Sequence, residues 1–184
     1  MPRCGTICSC PQSSPSPGPL SPARGRGVRG EGESTKAWID GGARGNPGEA
    51  GFGVVFEIPG PGGVSETVEI CGYLGRATNN IAEYAALLAA LAFAARRGFE
   101  VLTLHSDSEL LVRQLAGSYK VKAPHLRRLH QRALRLRGAI PRLVVRHVRR
   151  EDNHHADRLA NRAMDERLPP PAWLASEIDD ARLG

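Results

Sequence analysis

Residues 36–56 read KAWIDGGARGNPGEAGFGVVF, which is a short apolar run, a polar glycine-rich segment and a second apolar run. Ala37, Trp38 and Ile39 are bounded by turn residues, a pattern typical of a buried central strand. Asp40 follows directly, so its carboxylate is expected at the end of that strand. A carboxylate there is costly unless a cation such as a metal ion meets it. The alternative is an ordinary turn, because Asp before Gly-Gly is common turn chemistry.

An antiparallel meander is predicted after Asp40. Apolar runs at 52–58 and 64–72 are separated by the breaker PGPGG at 59–63. The glycines of this region do not have the spacing of a dinucleotide-binding motif and no helix follows them, and the chain lacks a GK[ST] phosphate loop. These two kinds of nucleotide site are therefore excluded.

The first long helix is predicted from Thr78 to about Arg97, with Gly98 as its C-cap. Glu83 is expected in the first turn of this helix. Its structural explanation is a capping box, since Asn80 precedes it by three residues and acids are favoured near helix N-termini. Position alone does not separate a cap from a catalytic acid.

A strand at 101–107 and a short helix at 109–116 are predicted next. A strand, a crossing helix and a strand suggest a parallel pair, and the carboxyl ends of parallel strands lie side by side. Asp40 and Asp107 would then face each other. Two such carboxylates both stay ionised at neutral pH only with a cation between them. A helix cap is the alternative role for Asp107.

The last predicted elements are a helix from Pro124 to about Arg137, a strand at 143–148 and a helix that Asn153 caps. Asp157 falls in the first turn of that final helix, where the helix dipole favours acids. Each acid therefore has a structural explanation when taken alone. Their joint placement at element ends on one edge of the fold favours a shared site.

Length and composition suit a single domain with tails: 184 residues, of which 41% are hydrophobic. The net charge of +6 favours a polyanionic partner. Between Tyr119 and Arg150 there are 11 Lys or Arg residues and no Asp or Glu. We call residues 119–150 the basic band.

Residues 1–35 are rich in Pro, Gly, Ser and Arg and are predicted to be disordered. Residues 36–168 form the predicted domain, and residues 169–184 a polar tail that packs loosely. Three of the four cysteines lie in the first segment, where free thiols are expected rather than a metal site. No apolar run approaches the roughly 20 residues of a bilayer span and no signal-peptide core is present, so a cytoplasmic protein without membrane contact is expected.

Four motifs contain the acids: IDGGARGNPG around Asp40, TNNIAEY around Glu83, SDS around Asp107 and REDNHHADRLA around Asp157. Together they resemble the motifs of type 1 ribonuclease H, in its compact subgroup without the basic protrusion. The match covers roughly residues 36–167, in order. The resemblance implies the α/β ribonuclease H-like fold, a five-stranded mixed sheet of order 3-2-1-4-5 whose first three strands are antiparallel, with helices on both faces.

The resemblance also implies a function, the hydrolysis of the RNA strand of an RNA/DNA hybrid to leave 5′-phosphate and 3′-hydroxyl ends. It implies two divalent ions per active site, Mg²⁺ or Mn²⁺, which suit hard oxygen ligands. Asp40 would bridge the ions, Glu83 and Asp107 would hold one, and Asp157 the other. The implied substrate-binding residues are Gly41, Asn46, Asn79 and Asn80, to which the basic band adds Lys120 and Lys122. The asparagines match positions at the minor groove, where 2′-hydroxyls distinguish RNA, and turn or cap roles are their alternative.

The chain departs from the best-known family members in two places. The basic protrusion is absent, so residues 119–122 and the arginines of the basic band would grip the substrate. The loop that carries the family's assisting His is shortened, which leaves two candidates for that role. His147 lies ten residues before Asp157 but falls in a predicted strand, whereas Arg150 lies in the loop and is preferred.

Two alternatives to a hybrid-specific enzyme stay open. One is a catalytically silent module of the same fold that binds hybrid or double-stranded RNA, and the other is an enzyme directed at double-stranded RNA. A transposase or junction resolvase would need a different spacing of the acids. A monomer is expected.

Overall fold

The computed structural model describes residues 34–182. Residues 1–33 lie outside this range, so the disorder predicted for them and the free thiols predicted for their three cysteines also lie outside the described residues. Thr35, which was predicted to be disordered, is the first residue of β1. The elements in chain order are β1 (Thr35–Gly45), β2 (Gly48–Pro59), β3 (Ser65–Ala77), α1 (Asn79–Arg97), β4 (Val101–Ser106), α2 (Glu109–Leu115), α3 (Pro124–Arg137), β5 (Arg142–His147), α4 (His154–Asp165) and α5 (Ala175–Arg182).

Within residues 34–182 the strands form one five-stranded mixed sheet in the order β3-β2-β1-β4-β5. The strands β1, β2 and β3 are antiparallel neighbours, while β4 pairs in parallel with both β1 and β5. The predicted order and the mixed pairing are confirmed. The parallel pair forms as expected, because the crossing helix α1 returns the chain to the edge of β1.

The strand β1 extends further than the sequence suggested. Its parallel pairing with β4 ends at Ile39 opposite Ser106, but its antiparallel pairing with β2 continues to Gly45. Asp40 therefore lies inside a strand, and both the strand end and the Asx turn considered for it are wrong. The glycine-rich segment after Asp40 is extended backbone, and the hairpin turn comes at Asn46-Pro47.

Glycines let a helix approach the sheet closely on each face. A Cβ atom on Gly41 would lie 2.1 Å from the backbone carbon of Ala82 in α1. On the opposite face, a Cβ on Gly53 would lie 2.4 Å from the carbonyl oxygen of Ala156 in α4. The predicted helices on both faces are confirmed, and their backbones lie almost against the strands.

The helix α1 is buried on nearly all sides and forms the centre of the main core. It packs on β1 and β2 and also against α3 and α5. Its C-cap is Gly98 in the left-handed conformation, with a φ of 66°, as predicted. Alanines make up much of its sequence, so neighbouring elements can approach it closely.

The segment after residue 168 is not the loosely packed tail that was predicted. Leu174 and Ile178 are fully buried in the main core, and α5 packs against α1 and α3. Arg132 of α3 donates a 2.5 Å hydrogen bond to the carbonyl oxygen of Ser176. The domain therefore extends beyond residue 168, because these two apolar side chains cover a part of α1 that would otherwise face water.

Replacement of Ile178 by alanine is expected to lower the free energy of unfolding by about 2–4 kcal/mol, because it removes a buried branched side chain and leaves a cavity. Urea denaturation followed by circular dichroism measures this change. Asp179→Ala is the matched control, since Asp179 is exposed on the same helix and should change stability by less than about 0.5 kcal/mol. Equal stability of the two variants would contradict the assignment of α5 to the core.

No helix within residues 34–182 combines the length and the apolar character that a bilayer span requires.

Candidate active site

The four predicted acids line one open cavity of about 410 Å³ at an edge of the sheet. Asp40 comes from β1, Glu83 from α1, Asp107 from the residue after β4, and Asp157 from α4. Helices on opposite faces of the sheet therefore contribute to the same cavity. This convergence is what the joint placement of the acids predicted.

Asp40 lies at the centre of this cluster. Burial raises the pKa of Asp40 from 3.8 to about 7, and the neighbouring carboxylates of Asp107 and Asp157 contribute to this rise, while the guanidinium of Arg150 acts in the opposite direction. Glu83 makes a smaller contribution that also raises it. The charged form of Asp40 is thus unfavourable in the protein alone, as expected for a carboxylate cluster whose counterion is a cation.

Glu83 is held by two hydrogen bonds to its carboxylate. The hydroxyl of Ser108 donates to Oε2 at 2.7 Å, and the side-chain amide of Asn79 donates to Oε1 at 3.0 Å. The capping box considered for Glu83 is wrong, because Thr78 is the N-cap and its hydroxyl accepts from the backbone amide of Ile81. Glu83 lies beyond the first turn, and burial raises its pKa.

Asp107 does not cap α2, which corrects the alternative considered for it. Ser108 is the N-cap of α2, and its hydroxyl accepts from the backbone amide of Leu111 at 3.3 Å. Asp107 instead accepts a 3.1 Å hydrogen bond at Oδ1 from the side-chain amide of Asn153. The same amide donates at 2.9 Å to the carbonyl oxygen of Ile39, the residue before Asp40.

Asn153 therefore has a different role from the cap predicted for it. It occupies the N-cap position of α4, but its buried side chain joins β1 to Asp107. Its side-chain oxygen Oδ1 is buried and accepts no hydrogen bond. Among the buried side-chain polar atoms of residues 34–182, it alone has no hydrogen-bond partner. The amide thus fixes the position of Asp107 relative to the backbone that carries Asp40.

Asp157 is positioned by the packing of α4 on the sheet. Ala156 and Ala160 lie against glycines of β2, which brings the helix close to Asp40. Asn161 donates to Oδ2 of Asp157 at 3.3 Å and to its carbonyl oxygen at 2.9 Å. Arg150 contacts Oδ1 of Asp157 at 3.2 Å while its own side chain stays 81% exposed.

The other predicted substrate residues divide into two groups. Gly41 and Asn79 line the cavity with the acids. Asn46 is outside the cavity lining, but its Oδ1 accepts from the backbone amide of Asn79, which lines the cavity, at 3.3 Å. Lys120 and Lys122 are exposed between α2 and α3, outside the cavity lining. Asn80 lies beside Asn79 in α1 and is also outside that lining.

The two candidates for the assisting residue are also separated. Arg150 lines the cavity. His147, at the end of β5, contacts the carbonyl oxygen of Asp107 through Nε2 at 3.2 Å and is outside the lining. The geometry favours the choice of Arg150, whose role in turnover stays a prediction.

The sequence reasoning missed three polar residues that orient the acids, namely Ser108, Asn153 and Asn161. Ser108 and Asn153 had been seen as part of a motif or as a cap, and Asn161 had not been singled out. A signal for Asn161 was available, since a residue four positions after Asp157 in a helix lies on the same face and can bond to it.

The four acids offer oxygen ligands of the kind that a divalent metal ion needs. Within residues 34–182, no three His, Cys, Asp or Glu side chains are arranged closely enough to form a finished metal site. Glu83, Asp107 and Asp157 are instead held by neighbouring side-chain donors. The chemistry of the acids nevertheless fits Mg²⁺ or Mn²⁺, because all four offer hard oxygen ligands. Burial and, after it, the neighbouring carboxylates raise the pKa of Asp40, which a bound cation would offset.

Comparison with known proteins gives the family. The family model described as "Reverse transcriptase-like" matches residues 39–163. Ribonuclease HI of Halobacterium salinarum is 45% identical over 130 residues, 71% of this chain and 64% of the relative. The crystal structure of RNase H1 from Halobacterium salinarum NRC-1 superposes with a TM-score of 0.66 at 42% identity, covering 72% of this chain and 98% of that one. The chain belongs to the ribonuclease HI family.

Another ribonuclease HI structure, LC11-RNase H1 in complex with an RNA/DNA hybrid, is 40% identical with a TM-score of 0.66, over 72% of this chain and 98% of that one. The chain spans 64% of the length of the Halobacterium salinarum relative and 38% of the mycobacterial relatives that it matches. Ribonuclease HI enzymes generally depend on divalent metal ions.

Proposed function

We propose that this chain is an endonuclease that hydrolyses the RNA strand of RNA/DNA hybrids, leaving 5′-phosphate and 3′-hydroxyl ends. The observation that carries the proposal is the convergence of Asp40, Glu83, Asp107 and Asp157 on one cavity. A phosphodiester is anionic, so it can approach four carboxylates only when cations lie between them. The relative solved with an RNA/DNA hybrid supports this choice of substrate.

The same four acids, Asp40, Glu83, Asp107 and Asp157, would hold two divalent ions, Mg²⁺ or Mn²⁺. When bound, such ions activate the attacking water and stabilise the departing oxygen. Ser108 and Asn79 orient Glu83, and Asn153 orients Asp107. These neutral donors hold the carboxylates without neutralising them, which leaves the negative charge available to the cations.

The substrate contacts follow from the rim of the cavity. Asn46 and Asn79 are joined to each other and offer further amide groups to the minor groove of the hybrid, with Asn80 beside them. The 2′-hydroxyl groups exposed in that groove distinguish RNA from DNA. Gly41 lines the cavity, and the absence of a side chain there lets the backbone of α1 approach β1 closely.

The test is a cleavage assay on an RNA/DNA hybrid, double-stranded RNA and double-stranded DNA of identical sequence, with and without Mg²⁺. Cleavage of the hybrid alone, dependent on Mg²⁺, is the expected result. Comparable cleavage of double-stranded RNA would favour the broader enzyme. Tight binding without cleavage of any duplex would favour the silent module and overturn the proposal.

Lys120 and Lys122 are expected to bind phosphates of the hybrid. Removal of one phosphate-binding side chain should flatten the dependence of affinity on salt by roughly 0.7–0.9 log units per log unit of salt. Lys120→Ala and Lys122→Ala should therefore each reduce the slope measured by fluorescence anisotropy. Lys36→Ala is the control, because Lys36 is exposed at the opposite end of β1 from the turn. An unchanged slope in both lysine variants would mean that other residues bind the phosphates of the hybrid.

Arg150 is expected to assist product release. A guanidinium has a pKa above about 12 and cannot act as a general base, so its role is electrostatic. Arg150→Ala should lower the multiple-turnover rate by roughly ten-fold and the single-turnover rate much less, as release often limits kcat. Rapid-quench kinetics separate the two rates.

Two controls accompany this variant. Arg149 is equally exposed and pairs with Glu151, so Arg149→Ala should turn over normally. His147→Ala should cost only a little stability. An inactive but folded His147→Ala with a normal Arg150→Ala would show that His147 is the assisting residue.

A further inference from the structure

Three helices meet at a polar cluster that the proposed chemistry does not use, in which Tyr84 and Gln114 are buried and His130 is partly buried. Tyr84 of α1 is 2% exposed, and its hydroxyl donates a 2.7 Å hydrogen bond to Oε1 of Gln114 in α2. His130 of α3 lies edge-on to the Tyr84 ring, with Nδ1 3.3 Å from the hydroxyl oxygen. Since the hydroxyl proton goes to Gln114, the imidazole must donate from Nδ1.

The surroundings of this cluster are apolar, because α1 and α3 otherwise meet through alanine and leucine side chains. Buried polar groups are costly unless each finds its partner. Apolar side chains tolerate small shifts of one helix past another, whereas a hydrogen bond between two buried groups breaks when they separate. The cluster therefore specifies one arrangement of α1, α2 and α3.

The arrangement reaches the acids through α2, which is only seven residues long. At its N-terminus the hydroxyl of Ser108 donates to Glu83, and near its C-terminus Gln114 accepts from Tyr84. Glu83 and Tyr84 are consecutive in α1. Both ends of α2 are thus fastened to the same turn of α1, so that α2 cannot shift without disturbing Glu83.

Hydrogen bonds also connect α2 and α3 to the basic segment that lies between them. Arg113, next to Gln114, donates at 2.6 Å to the hydroxyl of Tyr119 and lies over its ring at 5.0 Å. Arg127, three residues before His130, donates at 3.0 Å to the carbonyl oxygen of Val121. The segment that carries Lys120 and Lys122 is therefore tied to both helices that the cluster joins to α1.

We propose that Tyr84, Gln114 and His130 act as positioning residues that hold the segment 119–122 at a fixed distance from Glu83. Phosphates bound by the lysines of this segment then place a defined phosphodiester of the RNA strand at the acids. The inference rests on the proposed function and deepens it, because it names the residues that determine which phosphodiester of the hybrid is cut.

Tyr84→Phe tests this, since it removes one hydroxyl and keeps the ring. The expected result is a folded protein whose kcat/KM on the hybrid falls roughly ten-fold, whose hybrid affinity in EDTA also falls, and whose cuts on one defined hybrid spread to neighbouring positions. Gln114→Leu should reproduce all three changes. It keeps the proposal testable if Tyr84→Phe does not fold.

Two comparisons separate positioning from simple loss of stability. Leu91 is fully buried in the same helix, about two turns beyond Tyr84, and Leu91→Val should lower the melting temperature while the cut positions and affinity stay those of the wild type. In a Lys120→Ala, Lys122→Ala background, Tyr84→Phe should have little further effect on hybrid affinity. The segment 119–122 that Tyr84 holds in place would then have no lysine left to bind a phosphate.

Each contrary result has a distinct meaning. A Tyr84→Phe variant with wild-type affinity and cut positions, or one whose effect adds fully to that of the lysine changes, would overturn the positioning role while hybrid cleavage by the wild type stands. A wild-type protein that cleaves no hybrid would overturn the proposed function, and the positioning role with it.

Discussion

Asp40→Asn should abolish hybrid cleavage, by roughly 1,000-fold or more, which corresponds to about 4 kcal/mol of transition-state stabilisation. The reason is that the charges of the other three acids all act on Asp40 at the centre of the cluster. A neutral amide there would offer the proposed metal ions no negative charge. Single-turnover cleavage at saturating Mg²⁺ measures the loss. The variant should keep the wild-type circular dichroism spectrum.

The same variant should be more stable than the wild type in EDTA at pH 8. The folded-state pKa of Asp40, about 7, lies above its usual 3.8. The contribution of protonated Asp40 to the free energy of unfolding is therefore fully present below about pH 4. It is lost as the pH rises through the folded-state pKa of about 7. An asparagine at this position cannot ionise, so the variant does not lose this stability. At pH 8 its free energy of unfolding should exceed that of the wild type by roughly 2–4 kcal/mol.

Urea denaturation at pH 4 and pH 8 without metal measures both stabilities. Wild type and variant should converge at the lower pH and differ at the higher one. Asp165→Asn is the control, because Asp165 is exposed and pairs with Arg44 at the surface. Near-normal cleavage by a verified Asp40→Asn sample would overturn the assignment of the active site.

Gly41→Ala should cost about 4 kcal/mol or more, or prevent folding. Its Cβ would lie 2.1 Å from the backbone carbon of Ala82 and 2.3 Å from the backbone nitrogen of Glu83. These are backbone atoms of a central helix, so no rotamer change can relieve the contact. Soluble expression and urea denaturation measure the outcome.

Gly42→Ala provides a matched control one residue further along. Its Cβ would face the other side of the sheet and meet only the terminal methyl of Met164, at 3.8 Å, an ordinary contact. Its stability should change by less than about 1 kcal/mol. A stable Gly41→Ala would show that the approach of α1 to β1 is looser than the structure has it.

These two glycines explain why the extent of β1 was not predictable. The stretch GGARG reads as a turn, because glycine and polar residues commonly form turns. The strand continues through it since Gly41 must admit α1 on one face, and the glycines of β2 admit α4 on the other. Such packing depends on elements far along the chain, which local pattern cannot reveal.

The acids were predictable from their joint placement and from the four motifs around them, since each acid taken alone also fits a turn or a cap. The residues that hold them were harder to recognise. The amide of Asn153 bonds to the carbonyl oxygen of Ile39, 114 residues earlier in the chain. Leu174, just before α5, and Ile178 within it were missed for a related reason. Two apolar residues in a polar segment give no clear period without the partner surface on α1.

The placement of α4 on the glycines of β2 has a consequence for the order in which the four acids are brought together during synthesis. Asp40, Glu83 and Asp107 lie in the first 107 residues of the chain, but Asp157 arrives only with α4. During synthesis, the site cannot be completed until α4 has left the ribosome and docked on the sheet.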